Sequence, residues 1–443
     1  MTAEVPCAAV AALTGAFCAS LPSCIPGLHI YNLLGALVLL LQATGMLVPS
    51  HLLIPFTTAM VTSFAVVNTV PSILLAAPDE SAMFTVLPGQ KMMMRGRGYD
   101  AVLVTAIGSA AGLLLLVTVF AAGAPLVLPR LQAVVRPHTH WILWSVIAFM
   151  LMSEWPKPSP SGQAGWHRLL LAWRSTGMGI LVFLLSGLLG FILLYRSPID
   201  PDAAFQNLMP AFVGLFTLPW LLMNIATRVQ PPPQQNAGTG VLIPAEIALR
   251  GVAAGALGGG FAAFFPVVTG GVGGLLAGHA TALRDDRAFL ISQGVSKLVY
   301  YAGGLLLLFT PGLGLQRGGA AALIGGIVES ESPGAYPLAL AGTAIGGAVA
   351  LGLLSPLTRL TLALAARYRY RRISTLALLI IVAIVATITG IPGIAIMLVS
   401  AGIGILPVLY GARRMNALGV ILLPMACNMS GAGPAIATVL HLF

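Results

Sequence analysis

The residue best suited to bind a charged ligand is a lysine inside an apolar segment. Lys297 lies well inside the apolar stretch 288–310, directly after Ser296. A charge at that depth in a bilayer is costly and usually faces a cavity or a partner. The alternative is that the long side chain carries the ammonium to the membrane surface. We predict that Lys297 and Ser296 contact an anionic substrate.

The acidic residues make that prediction sharper. All twelve are expected in loops or close to the ends of apolar segments, so no carboxylate is expected to neutralise Lys297 inside the bilayer. An anionic substrate would then balance the charge. The same pattern disfavours a proton pump built on buried acids, although Asp79 is a coupling-ion candidate if its loop folds inward.

Two proline breaks interrupt apolar segments, one at 25–29 and one at 265–271. Broken backbone is tolerated at membrane depth only where protein or a water-filled cavity satisfies it. A half-helix that restarts there directs N–H groups and the positive end of its dipole at the cavity. An ordinary proline kink is the alternative for either break. The pair predicts anion contacts from Pro26, Gly27, His29, Asn32, Pro266, Thr269, Gly270 and Gly271.

A third polar interruption lies at Asn68 and Thr69, shortly before Pro71. We expect Pro71 to break the helix and to expose carbonyl groups beside these two side chains. Unwound, oxygen-rich backbone of this kind coordinates Na⁺ in transporters. A hydrogen-bonded contact between two helices is an equally good interpretation.

Composition shows which elements must position these residues. Of 443 residues, 58% are hydrophobic and 8% are charged, against about 25% charged in soluble proteins. The chain is therefore predicted to be a polytopic membrane protein. Its net charge of +10 is assigned to the orientation of loops and not to nucleic acid. No metal-ligand cluster, P-loop or nucleophile motif is present, so we predict neither a metal site nor an enzyme.

The order of segments predicts two halves, 1–226 and 246–443, joined by a Pro/Gln/Gly linker at 227–245. Each half begins with a proline break, as in transporters built from repeats. The predicted fold is an all-α polytopic membrane protein with two inverted structural repeats and Pro/Gly-broken or re-entrant half-helices. Clustered arginines place 367–372 and 413–414 in the cytoplasm, joined by an even number of crossings or a re-entrant pair.

Three stretches resemble a known family. They resemble the permease subunit of the tripartite tricarboxylate transporters. The stretches are IPGLHIYNLLGALVLL, FAVVNTVPSILLAAPDESAMFTVLPGQKMMMRGRGYDAVLVTAIG and VSKLVYYAGGLLLLFTPGLGLQRGGAAALIGGIV. The resemblance is closest to the distant, archaeal-type branch. It implies two inverted repeats, uptake of organic anions driven by an ion gradient, and two Pro-Gly substrate loops. The first loop maps onto Pro26-Gly27, whereas the second break lacks a Pro-Gly pair.

The expected function is therefore secondary active transport of a small organic anion, a carboxylate, by a multi-pass protein of the prokaryotic plasma membrane. A lipid transporter for an anionic amphiphile such as a polyprenyl phosphate is the alternative. Na⁺ or H⁺ is the expected coupling ion, and no other cofactor is expected. The resemblance implies a small membrane subunit and a binding protein as partners, and a homodimer is also considered.

Overall fold

The computed structural model describes residues 4–77, 86–156, 165–200, 207–227, 232–235, 242–281 and 285–443. These residues form helices and connecting turns, with no β-strand among them. The all-α polytopic class expected from composition is confirmed.

The first predicted half contains eleven helices within its described residues. They are α1 (Glu4–Ser20), α2 (Ile30–Thr44), α3 (Ser50–Val67), α4 (Thr69–Leu74), α5 (Val86–Met93), α6 (Gly98–Leu115), α7 (Ala121–Val135), α8 (Thr139–Met152), α9 (Gly165–Tyr195), α10 (Met209–Phe212) and α11 (Leu218–Ala226).

The second predicted half contributes nine more from the described part of the chain. They are α12 (Ala245–Phe264), α13 (Gly270–Thr281), α14 (Asp286–Leu298), α15 (Gly304–Phe309), α16 (Gly318–Gly325), α17 (Ala335–Arg367), α18 (Tyr370–Tyr410), α19 (Gly419–Met429) and α20 (Gly433–Val439). A π-helical turn, Val299–Gly303, joins α14 to α15.

Eight helical stretches in the described ranges are long and apolar enough to cross a membrane. A ninth results if Arg414–Met429 and Gly433–Val439, which meet at 114°, form one span. Both proline breaks predicted from the sequence separate real helices, α1 from α2 and α12 from α13. The Pro/Gly-broken half-helices therefore exist in each half.

The chain folds into two compact units, each drawn from both halves of the sequence. The first unit comprises 1–135 and 224–377, and it contains both proline breaks, Asn68 and Lys297. The second unit comprises 136–223 and 378–443. The division of the chain into linear repeats at 227–245 stays a prediction.

Within the first unit, both halves use the same order of packing partners. Helix α1 packs on α3 and α3 on α17, while α12 packs on α14 and α14 on α6. Small residues let the backbones approach, as is common between membrane helices. A Cβ atom on Gly346 of α17 would collide with the backbone of Ala59, and one on Gly108 of α6 with that of Ile291. This order is what a duplicated fold would produce, and the inverted relation of the repeats stays a prediction.

Helix α18 is divided by Gly390, whose φ of 64° and ψ of −162° are not helical. The two parts, 370–389 and 391–410, match the pair of segments expected between the arginine clusters. Glycine is needed here because a positive φ strains any residue with a Cβ atom.

Two acidic residues at the ends of apolar helices have buried side chains. Asp100 and Glu154 lie at helix ends, as expected, and the structure adds that both side chains are buried. Asp100 lies in the first turn of α6 and pairs with Arg97 at 2.8 Å. Glu154 follows α8, and its carboxylate accepts hydrogen bonds from the turn before α19. Hydrogen bonds from the protein can stabilise a carboxylate that is buried in this way.

Candidate functional site

The ammonium of Lys297 is buried and hydrogen-bonded to Asn68, the candidate for the coupling ion. Its Nζ donates to Oδ1 of Asn68 at 2.6 Å, and both side chains are at most 4% exposed. Nζ also lies 5.7 Å from the centroid of the Phe64 ring, within reach of a cation–π interaction. The lysine therefore does not extend to the surface, and its ammonium is held beside the junction of α3 and α4.

Asn68 is the single residue between α3 and α4. Its φ of −60° and ψ of −10° remain in the right-handed region, so the helix is interrupted but not unwound. Pro71 is tolerated because it occupies the first turn of α4, where backbone N–H groups lack helical acceptors. The Asn68 carbonyl accepts the Ser72 hydroxyl at 2.7 Å. The interruption near Pro71 is therefore limited to one residue, and the carbonyl of that residue is hydrogen-bonded and not exposed.

The first proline break ends at His29, which caps α2. Its Nδ1 accepts the backbone N–H of Tyr31 at 3.2 Å. Because Nδ1 is an acceptor, the proton of the neutral ring is on Nε2, which lies 2.8 Å from the hydroxyl of Tyr301. Tyr301 is one helical turn after Lys297, within the π-helical turn. His29 therefore adjoins the helix face that carries Lys297.

The two breaks share one backbone path despite different residues. Each helix end is followed by an extended residue (Ile25 or Phe265), then proline, then a residue with positive φ. That residue is Gly27 (φ 81°) in the first break and Val267 (φ 53°) in the second. A β-branched residue in this region is a genuine outlier. The second break therefore keeps the Pro-Gly geometry without the glycine.

One turn contacts both breaks and so places them in the same neighbourhood. Arg317 donates from Nε to the carbonyl of Phe264 at the end of α12, at 3.1 Å. Two residues later, a Cβ on Gly319 would meet the ring of Tyr31, in the first turn of α2, at 2.9 Å. The backbone of α16 thus fits against α2, and α13 packs beside the π-helical turn.

Three predicted substrate contacts have buried polar atoms without a hydrogen-bond partner among the described residues. They are Nδ2 of Asn32, Oγ1 of Thr269 and Oγ of Ser296. All three side chains are buried. Buried polar groups are rarely left unpaired, because each costs about 1–3 kcal/mol. All three atoms can donate a hydrogen bond, which suits an anionic ligand.

The starts of the two half-helices differ in how they are capped. In α2 the N–H of Tyr31 already donates a hydrogen bond to the His29 side chain, so this N–H is not free for an anion as expected. Thr269 stands in the corresponding place before α13, but its hydroxyl makes no such bond. The N-terminus of α13 is therefore the better of the two ends for an anion.

The other predicted residues are distributed as follows. Pro26, Gly27, Gly270 and Gly271 are buried in the two breaks, Pro266 is half-buried, and Thr69 is buried beside Asn68. Asp79 lies outside the described residues. Phe64 and Tyr301 were missed, although each lies four residues from Asn68 or Lys297 and so shares its helix face. No metal-binding group of His, Cys, Asp and Glu occurs in the described part of the chain.

Comparison with known proteins shows the family of this chain. Residues 9–419 match the Tripartite tricarboxylate transporter TctA family, which covers nearly the whole chain. The chain belongs to the TctA family. An uncharacterized protein of Methanocaldococcus jannaschii is 25% identical over 313 residues, which are 70% of this chain and 71% of that protein. No solved structure matches the chain.

Membership in the TctA family confirms the resemblance read from the sequence. It identifies the chain as a transporter permease and a multi-pass protein of a prokaryotic plasma membrane. TctA proteins form a transporter family and not an enzyme family. They work with a binding protein and a small subunit. The lipid-transport alternative receives no support from the family.

Proposed function

We propose that this TctA protein binds a small organic anion, a carboxylate, beside Lys297 and moves it by alternating access with an ion gradient. The observation that carries the proposal is the buried ammonium held by the neutral oxygen of Asn68 at 2.6 Å. A buried ammonium attracts an anion strongly, because the protein interior screens charge less than water does. A carboxylate would bring the negative charge and leave with it.

The remaining groups of the site complement a carboxylate. Thr269, Ser296 and Asn32 offer buried donors that lack partners among the described residues. Charge-assisted hydrogen bonds to a carboxylate are about twice as strong as neutral ones. The positive end of the α13 dipole adds to the attraction. These groups favour an anion with several acceptor oxygens over a neutral solute.

The coupling ion is proposed to use Asn68 and Thr69, and Asp79 where its loop reaches them. In the structure, Oδ1 of Asn68 holds the ammonium of Lys297, which would repel Na⁺ from the same oxygen. We infer that an arriving carboxylate draws the ammonium away and frees Oδ1 for the ion. Anion and cation would then bind together, which is the condition for coupled transport.

Uptake into proteoliposomes tests the anion site. Labelled citrate and succinate are offered to the wild type, to Lys297→Gln and to the control Lys91→Gln under an imposed Na⁺ or H⁺ gradient. Lys91 is an exposed lysine paired with Asp286, so its charge is removed without touching the site. We expect Lys297→Gln to lower uptake at subsaturating substrate by about 10-fold or more, as loss of a charged hydrogen bond implies. Equal uptake by Lys297→Gln and Lys91→Gln would rule out the anion role.

The partner proteins are proposed from the family. The permease is reconstituted alone and together with a small membrane subunit and a binding protein encoded in the same genome. If this chain works as a tripartite system, uptake requires all three components. Uptake by the permease alone, at a rate that the added subunits do not change, would show that it transports independently.

A further inference from the structure

The second compact unit contains a pair of arginines that the transport site does not use. Arg413 and Arg414 lie between α18 and α19, in the turn that follows Gly411. The guanidinium carbon of Arg414 lies 3.5 Å from the centroid of the Trp220 ring. A guanidinium stacked in this way keeps its in-plane N–H groups available for a planar or tetrahedral anion.

A buried carboxylate holds the main chain of this turn. Oε2 of Glu154 accepts the backbone N–H of Arg413 at 2.6 Å and Nδ2 of Asn416 at 3.2 Å. The carbonyl of Glu154 accepts the hydroxyl of Thr176 at 2.8 Å. Glu154 and Asn416 are at most 3% exposed. The Glu154 carboxylate therefore accepts hydrogen bonds from the main chain and from an amide side chain. These bonds hold the backbone of Arg413 in place.

The guanidinium groups themselves have unused donors. Nη1 of Arg413 and Nη1 of Arg414 are both buried, and neither has a hydrogen-bond acceptor among the described residues. Two unpaired cationic donors on consecutive residues are costly unless an anion accepts from them. A third cation, Arg174, lies over the ring of Tyr410 at 4.7 Å, at the end of α18.

The same unit exposes several tryptophans, which are typical of the level of lipid headgroups. Trp155, Trp166 and Trp173 are each more than half exposed. Trp155 follows the buried Glu154, and Trp173 precedes Arg174. Arginine pairs recognise phosphate by bidentate hydrogen bonds. A phosphate at the membrane interface is most abundantly supplied by a phospholipid.

We propose that Arg413 and Arg414 form a phosphate-binding site that takes the headgroup of an anionic phospholipid. The stacked Arg414 and the unpaired Nη1 of Arg413 bind the phosphate oxygens, and Glu154 sets the position of the turn. Free inorganic phosphate shares this chemistry, and the experiment separates the two sources. The site is built from residues of the second unit, whereas Lys297 belongs to the first.

The test measures thermal stability and native mass spectra of the purified full-length protein. The probes are phosphatidylglycerol, phosphatidylcholine and inorganic phosphate, each added separately. The double variant Arg413→Gln/Arg414→Gln is compared with the control Arg371→Gln/Arg372→Gln, which removes the same charge from two exposed arginines. We expect phosphatidylglycerol to raise the melting temperature and to remain bound in the wild type and the control, but not in the Arg413/Arg414 variant.

Arg414→Lys keeps the charge but loses the stacked, bidentate geometry, so it remains informative if the double variant fails to fold. We expect it to bind phosphatidylglycerol about 10-fold more weakly than the wild type. A matching shift with inorganic phosphate, lost in the same variants, would support the phosphate site and assign it to the free anion. Equal binding of phosphatidylglycerol and phosphatidylcholine, or equal binding by the wild type and Arg414→Lys, would overturn the proposal.

Discussion

The ammonium of Lys297 donates to the amide oxygen of Asn68 at 2.6 Å, although the two residues are 229 positions apart. The pair joins the junction of α3 and α4 in the first half to α14 of the second, inside one compact unit. A residue considered for the anion and one considered for the coupling ion are therefore in direct contact. A substitution at one of them is therefore expected to affect the other.

A double-mutant cycle measures this contact. Asn68→Leu removes an acceptor from a buried ammonium, and Lys297→Met removes the ammonium. We expect the losses of unfolding free energy in the two single variants to sum to more than the loss in the double variant. The difference, the coupling energy, should be about 0.5–3 kcal/mol, which is usual for residues in contact. Unfolding of the four proteins in one detergent gives the coupling energy. Strictly additive losses would mean that the hydrogen bond contributes nothing to stability.

Substitutions at His29 separate its two roles. His29→Asn keeps a good N-cap for α2 but cannot reach Tyr301 in the same way, whereas His29→Ala loses both contacts. We expect His29→Ala to be less stable than His29→Asn by about 1 kcal/mol, the usual value of a cap. Tyr301→Phe removes the hydroxyl alone and serves as the control. If the alanine and asparagine variants unfold at the same temperature, the cap is unimportant.

At Val267 the glycine variant should be more stable than the alanine variant, which is the reverse of the usual order. At ordinary positions alanine is as stable as glycine or more stable, because glycine loses more backbone entropy on folding. At a φ of 53° the order should reverse. We expect Val267→Gly to be more stable than Val267→Ala by about 1 kcal/mol, since the left-handed region costs residues with a Cβ about 1–2 kcal/mol. Thermal unfolding of both variants checks this, and the ordinary order would contradict the strained path.

Gly255 and Gly260 on α12 form a matched pair for testing helix packing. A Cβ on Gly255 would lie 2.5 Å from the carbonyl oxygen of Ser292 in α14, whereas a Cβ on Gly260 would meet nothing within 4 Å. Overpacking of this kind costs about 1–3 kcal/mol. Gly255→Ala should therefore lower the melting temperature, while Gly260→Ala should leave it unchanged or raise it. The same loss in both variants would show that close approach of the helices is not the cause.

Much of the site could be predicted from residue types alone. Pro26, Pro266 and Lys297 are unusual in apolar segments, and a bilayer makes each of them costly unless protein or ligand compensates. Membrane residence, the all-α class and both helix breaks follow from that single constraint. The common backbone path of the two breaks could be predicted at Gly27 but not at Val267, because Val267 adopts a positive φ that its residue type does not favour.

The contacts between distant segments could not be predicted in this way. Helix rotation and crossing position depend on where small residues such as Gly108 and Gly346 allow backbones to approach, and local periodicity does not encode that. Burial of Glu154 likewise required a partner from the turn at Arg413, far along the chain. The sequence by itself determined which residues are costly in a membrane. Only the tertiary structure decided that Lys297 meets Asn68, because a hydrogen bond between two helices exists only once their faces are packed together.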